Sequence, residues 1–233
     1  MGQKVSPILL RIPYIENWRS LWYADKKEFV QYVVEDFKIR KFIRNKFEQA
    51  AISRIVIERL AEKVRIIIHT ARPGVIIGRR GADIDRLREE LGKITTKEVT
   101  IDPREVKNPA VDAQLVAQNI AFQLEKRVAF RRAMKRSIDN AIAAGAQGIK
   151  IRCSGRLNGA EMARNESYLV GKLPLQTLRA QIDYGFAEAL TTYGLLGIKA
   201  WIYKGDVIKT INRRGAQENN SSAAPKAVPA EVA

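Results

Sequence analysis

Six cations fall within the eleven residues from Lys126 to Arg136: Lys126, Arg127, Arg131, Arg132, Lys135 and Arg136, with no acid among them. On a helix, Arg131 and Lys135 stack one turn apart, and so do Arg132 and Arg136. Phe130, Met134, Ile138 and Ala141 recur on another side, so one face would dock on a core while the other presents a comb of charge. Like charges at this spacing repel by about 0.2–0.5 kcal/mol per pair, and a phosphate chain is the ligand that relieves the repulsion. A solvated helix face is the ordinary fate of a charge run, but such faces usually mix signs.

A second cluster is Gly78-Arg79-Arg80-Gly81. Two glycines leave no Cβ to block a sugar-phosphate backbone. A helix expected to start near Ala82 would aim its free N–H groups and dipole at the same place. Arg79 and Arg80 add charge-assisted donors, and Ile76, Ile77 and Ile84 could floor the site for bases. That is a clamp for single-stranded nucleic acid; the alternative is a plain turn with solvated arginines. A Walker loop would need Gly-Lys-Ser/Thr, whereas Gly81 is followed by Ala82-Asp83. The dinucleotide fingerprint needs glycine two residues after the first, where Ile76 follows Gly74.

Other reactive groups are sparse. Asp83 and Asp85 lie in the first turn of that expected helix, where the dipole favours acids, rather than forming a metal-dependent cleavage pair. His69, the single histidine, sits on an apolar strand beside Ile68. Cys153, the single cysteine, excludes an intrachain disulfide and fits a reducing, cytoplasmic setting. No spacing suits a zinc site. Neither a catalytic residue nor a cofactor or metal is expected.

The frame that must carry these clusters has 233 residues, 46% of them hydrophobic, which is enough for one large or two small domains. Lys plus Arg number 41 against 25 Asp plus Glu, giving +16. So basic a chain points to a polyanion: nucleic acid first, an anionic membrane second. No apolar run reaches the length of a membrane span. Met1 to Ser6 fits the short myristoylation pattern, with no other membrane signal beside it.

Residues 1–23 read as an irregular arm. Asp25 could cap a helix to about residue 48, with Phe29, Tyr32, Val33, Val34, Phe37, Ile39, Ile43 and Phe47 at roughly helical spacing. Residues 53–59 and 64–70 are β-branched runs reading as a hairpin. A short turn from Pro73, the glycine loop, a helix through Leu91 and a strand at 99–101 complete the order α-β-β-α-α-β. That order around GRRG resembles the type II K homology domain over about residues 24–105, and 24–107 is taken as the first domain. Asn108-Pro109 marks the boundary. A second domain, 108–206, would carry helical residues 112–144 with a break near Ala129, ended by Gly145 to Gly148. Strands would follow at 149–154, 167–170, from 180 and at 198–203. The fold class is therefore α+β, with two helices on a small mixed or antiparallel sheet in the second domain. Residues 207–233 read as a disordered tail.

Longer stretches extend the resemblance. Met1–Val5, Arg19–Trp22, GVIIGRRGADI (Gly74–Ile84), FRRAMKRSI (Phe130–Ile138) and SGRLNGAEMAR (Ser154–Arg164) look like the bacterial branch of small-subunit ribosomal protein three. So do LPLQTLRAQIDYG (Leu173–Gly185) and TTYGLLGIKAWIYKG (Thr191–Gly205). The resemblance implies binding to 16S ribosomal RNA in the head of the small subunit, beside neighbouring head proteins. It also implies a place lining the channel where messenger RNA enters, with Arg131, Arg132 and Lys135 aiding the unwinding of message structure. The segment from Gly155-Arg156 to Arg164 resembles the family's ribosomal RNA contact. Gly155 and Gly159 would permit close approach there, and Arg156 and Arg164 would pair with phosphates. A nuclease and a free-standing RNA-binding regulator stand as alternatives.

Overall fold

A computed structural model describes residues 4–12, 14–60, 62–95 and 97–207. The tail expected from 207 lies outside them from residue 208 on. The arm opens with a helical turn, α1 (Pro7–Leu10), and ends in a two-residue strand, β1 (Ser20–Leu21). Then come α2 (Lys26–Lys46), β2 (Ile52–Arg59), β3 (Lys63–Thr70), α3 (Pro73–Ile77), α4 (Ala82–Gly92) and β4 (Glu98–Glu105). The first sheet has the order β1-β2-β3-β4 and is mixed: β1–β2 and β3–β4 run parallel, β2–β3 antiparallel. The arm is thus less irregular than its prolines and aromatics suggest. Ser20 pairs with Ile57 and Leu21 with Glu58, which extends the first domain's sheet by one strand.

Ile55, Ile57, Ile66 and Ile68 point from the strands onto Ile39, Ile43, Leu87 and Leu91 of the helices, all at most 2% exposed. α2 docks on a different face from the one its apolar residues mark. Phe29, Val33, Val34 and Phe37 are exposed, while Asp36, Ile39 and Ile43 are buried. Asp36 decides the rotation. It accepts from Arg59 Nη2 at 2.6 Å, from Ser20 Oγ at 2.9 Å and from Trp22 Nε1 at 2.9 Å. A buried carboxylate must be satisfied, so helix, arm and strand meet around it. Asp25 stands at the N-cap position but makes no side-chain capping bond.

The second domain holds α5 (Ala113–Glu125), α6 (Phe130–Ala143), β5 (Gly148–Gly155), β6 (Arg164–Gly171), β7 (Ala180–Thr191) and β8 (Gly194–Asp206). Its sheet, β6-β5-β8-β7, is antiparallel throughout. Asp112 caps α5, accepting from the N–H groups of Gln114 and Leu115 at 3.1 Å each. The helical run breaks before Phe130, where Arg127 takes a positive φ of 60°. Both helices lie on one sheet face, against Ile149, Ile151, Cys153, Ile198, Ala200 and Ile202, each 0% exposed. Gly185 permits that packing, since a Cβ there would sit 2.2 Å from the Ala113 carbonyl oxygen. The Ser53 hydroxyl of β2 donates to Asp112, linking the two domains.

Candidate nucleic-acid interface

The comb on α6 forms as its spacing requires. Phe130, Met134, Ile138 and Ala141 are buried at 0–3% exposure, and Arg131, Arg132, Lys135 and Arg136 are exposed. These four cations line one shallow depression with Asp139 and Asn140. A second depression lies between α5 and α6, where Arg132 and Arg136 meet Lys126, Phe122 and Asn119. Phe122 is 55% exposed, and the Lys126 ammonium stands 4.0 Å from its ring centroid. The i, i+4 spacing of Phe122 and Lys126 is the sequence signal for that pair.

Neutralisation is uneven along the comb. Among the described residues no carboxylate comes within ion-pair distance of Lys126, Arg127, Arg132, Lys135 or Arg136. Arg131 differs: its Nη2 lies 3.4 Å from Glu166 Oε1 on β6, and that contact raises its pKa further. Arg164 reaches the same Glu166 oxygen at 3.7 Å. Arg131 and Arg164, 33 positions apart, therefore share one carboxylate, and both guanidinium groups lie within 6 Å of the Phe130 ring centroid (5.6 and 5.9 Å). Nothing in the sequence marks Glu166 as their partner, because the contact depends on β6 pairing with β5 beside α6.

The Gly155 to Arg164 loop uses its special residues on itself. A Cβ on Gly155, at φ +127°, would sit 2.7 Å from Leu196 Cδ2; one on Gly159, at φ +77°, would sit 2.9 Å from the Tyr193 ring. The Arg156 Nε donates to the Ala160 carbonyl at 2.9 Å and the guanidinium stands 5.8 Å from the Tyr193 ring centroid. Close approach by the protein's own chain accounts for both glycines, and Arg156 pins the turn that runs to Ala160.

In the first domain, Gly78, Arg80 and Gly81 take φ of +70°, +57° and +82° between α3 and α4. Arg79 and Arg80 are exposed and, among the described residues, form no ion pair. No side chain caps the start of α4. The Asp83 carboxylate folds against Gly78, where an added Cβ would lie 2.0 Å from its Oδ2. It stands at a helix N-terminus, where the dipole favours an acidic side chain. The apolar floor differs from the expected one. Ile76 is 0% exposed within the core and Ile84 packs against it, whereas Val75 and Ile77, 41% and 39% exposed, reach the surface.

The remaining groups are quiet. Burial, then the nearby Arg54 and Arg104, lowers the His69 pKa. Burial pushes the Cys153 thiol up to about 12. No group of three or more His, Cys, Asp and Glu among the described residues could hold a metal ion, and no described helix is long and apolar enough to cross a membrane.

Two family models match the chain: a KH domain over residues 38–111 and "Ribosomal protein S3, C-terminal domain" over 120–202. Small ribosomal subunit protein uS3 of Carboxydothermus hydrogenoformans is 58% identical over 91% of this chain and 96% of its own length. The uS3 proteins of Desulforamulus reducens and Methylacidiphilum infernorum are 57% and 56% identical, over 93% and 91% of this chain and 98% and 99% of theirs. The chain belongs to the bacterial-type uS3 family. The uS3 match divides as the clusters do. Gly78 to Gly81 lie in the KH match, and α6 with the Gly155 to Arg164 loop lies in the S3 C-terminal match.

Proposed function

We propose that this uS3 chain is a structural, non-enzymatic constituent of the small ribosomal subunit in the cytoplasm. It binds 16S ribosomal RNA in the subunit head, beside neighbouring head proteins, and helps form the channel where messenger RNA enters. The observation that carries this reading is the α6 comb: Arg132, Lys135 and Arg136 exposed and, among the described residues, without carboxylate partners on a helix locked down by four buried residues. Cations fixed in a row bind an unpaired strand, whose phosphates can follow them, better than a stiff duplex lying across them. Each such contact releases counterions and lowers the free energy of the opened message. Work comes from whatever draws the message forward, so the protein consumes no nucleotide. Gly78-Arg79-Arg80-Gly81 serves as a second RNA contact, and the Gly155 to Arg164 loop as a third.

Replacing Arg131, Arg132 and Lys135 together with Ala tests the reading in reconstituted translation of a message carrying one stable hairpin. The expected result is slower passage through the hairpin, an unchanged rate on unstructured message, and near-normal incorporation into small subunits on a sucrose gradient. Equal hairpin kinetics would remove α6 from the role. Arg131→Ala alone is expected to have the smallest single effect, since Glu166 already engages that side chain.

A further inference from the structure

The second sheet has two faces, and α5 and α6 cover only one. On the other, strand register places residues in rungs across β5, β8 and β7. One rung is Lys150–Trp201–Tyr184 and the next is Arg152–Lys199–Phe186. Trp201 and Tyr184 lie 5.4 Å apart between ring centroids, tilted by 49°, with the Lys150 ammonium 5.7 Å from the Trp201 ring. Phe186 is 42% exposed, and its ring edge lies 3.9 Å from where a Cβ on Gly197 would stand. The backbone under Phe186 is held at the sheet edge by Gln114, whose side-chain amide donates to its carbonyl at 2.9 Å and accepts from its N–H at 3.2 Å.

The adjoining rung is closed. Ile182 and Tyr203 are buried beneath Leu173 and Leu175. That cover ends before Tyr184: Phe186, Arg152 and Lys199 are exposed, and Trp201, Tyr184 and Lys150 are half-buried. The outward side of a half-buried sheet is ordinarily polar. Here it carries three rings interleaved with three cations, with Glu188 as the acid one step further along β7.

We infer that this face binds a short stretch of unpaired RNA by stacking bases on Trp201, Tyr184 and Phe186, with Lys150, Arg152 and Lys199 taking the phosphates. Rings on an open sheet face offer every base a π-surface without selecting sequence. Successive rungs are two residues apart, about 6.8 Å, close to the step of an unstacked nucleotide. The charge ratio favours a polyanion over a polypeptide. The site goes beyond the α6 comb, because the sheet itself stands between them and side chains on one face cannot reach a strand on the other.

The test uses the full chain and an unstructured oligoadenylate of about ten nucleotides. Ultraviolet crosslinking to wild-type protein should give adducts on the β7 and β8 peptides carrying Phe186 or Trp201, beside any on α6. In the R132Q/K135Q/R136Q background, F186S should weaken binding by about fivefold or more, and an abasic oligomer of equal charge should bind correspondingly less well. K199Q, on an exposed side chain that leaves the core untouched, should weaken binding in the same direction. Adducts confined to α6 and the Gly78 to Gly81 loop would overturn the inference. So would equal binding of abasic and adenine oligomers, or crosslinks in purified small subunits joining Trp201 to a polypeptide. A failure of the α6 reading looks different: the triple Gln variant would then bind the oligomer as tightly as wild type.

Discussion

Arg11 looks in the sequence like one more cation of a basic chain, yet it is 1% exposed. Its guanidinium donates to five carbonyl oxygens: Ala180 at 2.6 Å, Pro7 and Leu175 at 2.9 Å, Thr177 at 3.0 Å and Pro174 at 3.3 Å. Four of these belong to the second domain, so one side chain ties the arm to the start of β7. Arg11→Ala strands those acceptors and is expected to cost about 3 kcal/mol or more in urea unfolding. Arg11→Lys, a point charge without the planar fork, should recover less than half. Nothing local in the sequence distinguishes Arg11, because four of its five acceptors lie more than 160 positions away. Asp112 makes a second prediction at this scale. Burial first, then the Asp183 carboxylate, raises its pKa against the opposing Ser53 and Leu115 bonds and Lys204. The folded chain therefore binds this proton more tightly than the unfolded chain, so the group's contribution to stability falls as pH rises above the ordinary carboxyl range near about 4. Asn keeps the cap without the charge. Stability of D112N relative to wild type should accordingly increase between about pH 4 and pH 7, and a constant or shrinking difference in denaturant titrations would count against the buried carboxylate.

Among the elements, those with a clean hydrophobic period were legible and those steered by a polar contact were not. The apolar stripe of α6 lies where spacing puts it, and, β1 in the arm aside, the strands of both sheets start within a few residues of their expected runs. On α2 the helical spacing does not show which face docks: Phe29, Val33 and Phe37 stay exposed, while Asp36, a polar residue, fixes the docking face through Arg59. In the Gly155 to Arg164 loop the sequence marks a special backbone but not what presses on it, since a glycine freed for RNA and one pressed against Leu196 have the same sequence. The α5–α6 corner allows a direct test. Arg127 there holds φ +60°, a conformation that costs a non-glycine residue about 1 kcal/mol or more. Arg127→Gly is expected to raise thermal stability by about 0.5–1 kcal/mol while removing one exposed cation. Lower stability would mean that contacts of the Arg127 side chain outweigh the strain.

For the whole molecule, a charge of +16 says that a polyanion binds but not where, because cations consumed internally count the same as free ones. Arg11 donates to carbonyls, Arg59 is held by Glu35 and Asp36, and Arg156 closes its own loop. Those spent by the fold release no counterions when RNA arrives, whereas Arg132, Lys135 and Arg136 face solvent without ion-pair partners among the described residues. The salt dependence of binding can separate the two populations. Each phosphate neutralised on a single strand contributes about 0.7 to the slope of log affinity against log salt. Replacing Arg132, Lys135 and Arg136 with Gln should therefore reduce that slope by about 2 in a titration with single-stranded RNA. Arg131→Gln should remove less than the full increment of about 0.7, because Glu166 already balances part of its charge. Equal decrements from Arg131 and Arg132 would show that the Glu166 contact opens when RNA binds. An undiminished slope in the triple variant would show that the phosphates lie elsewhere on the molecule, and the comb would then be a solvated helix face.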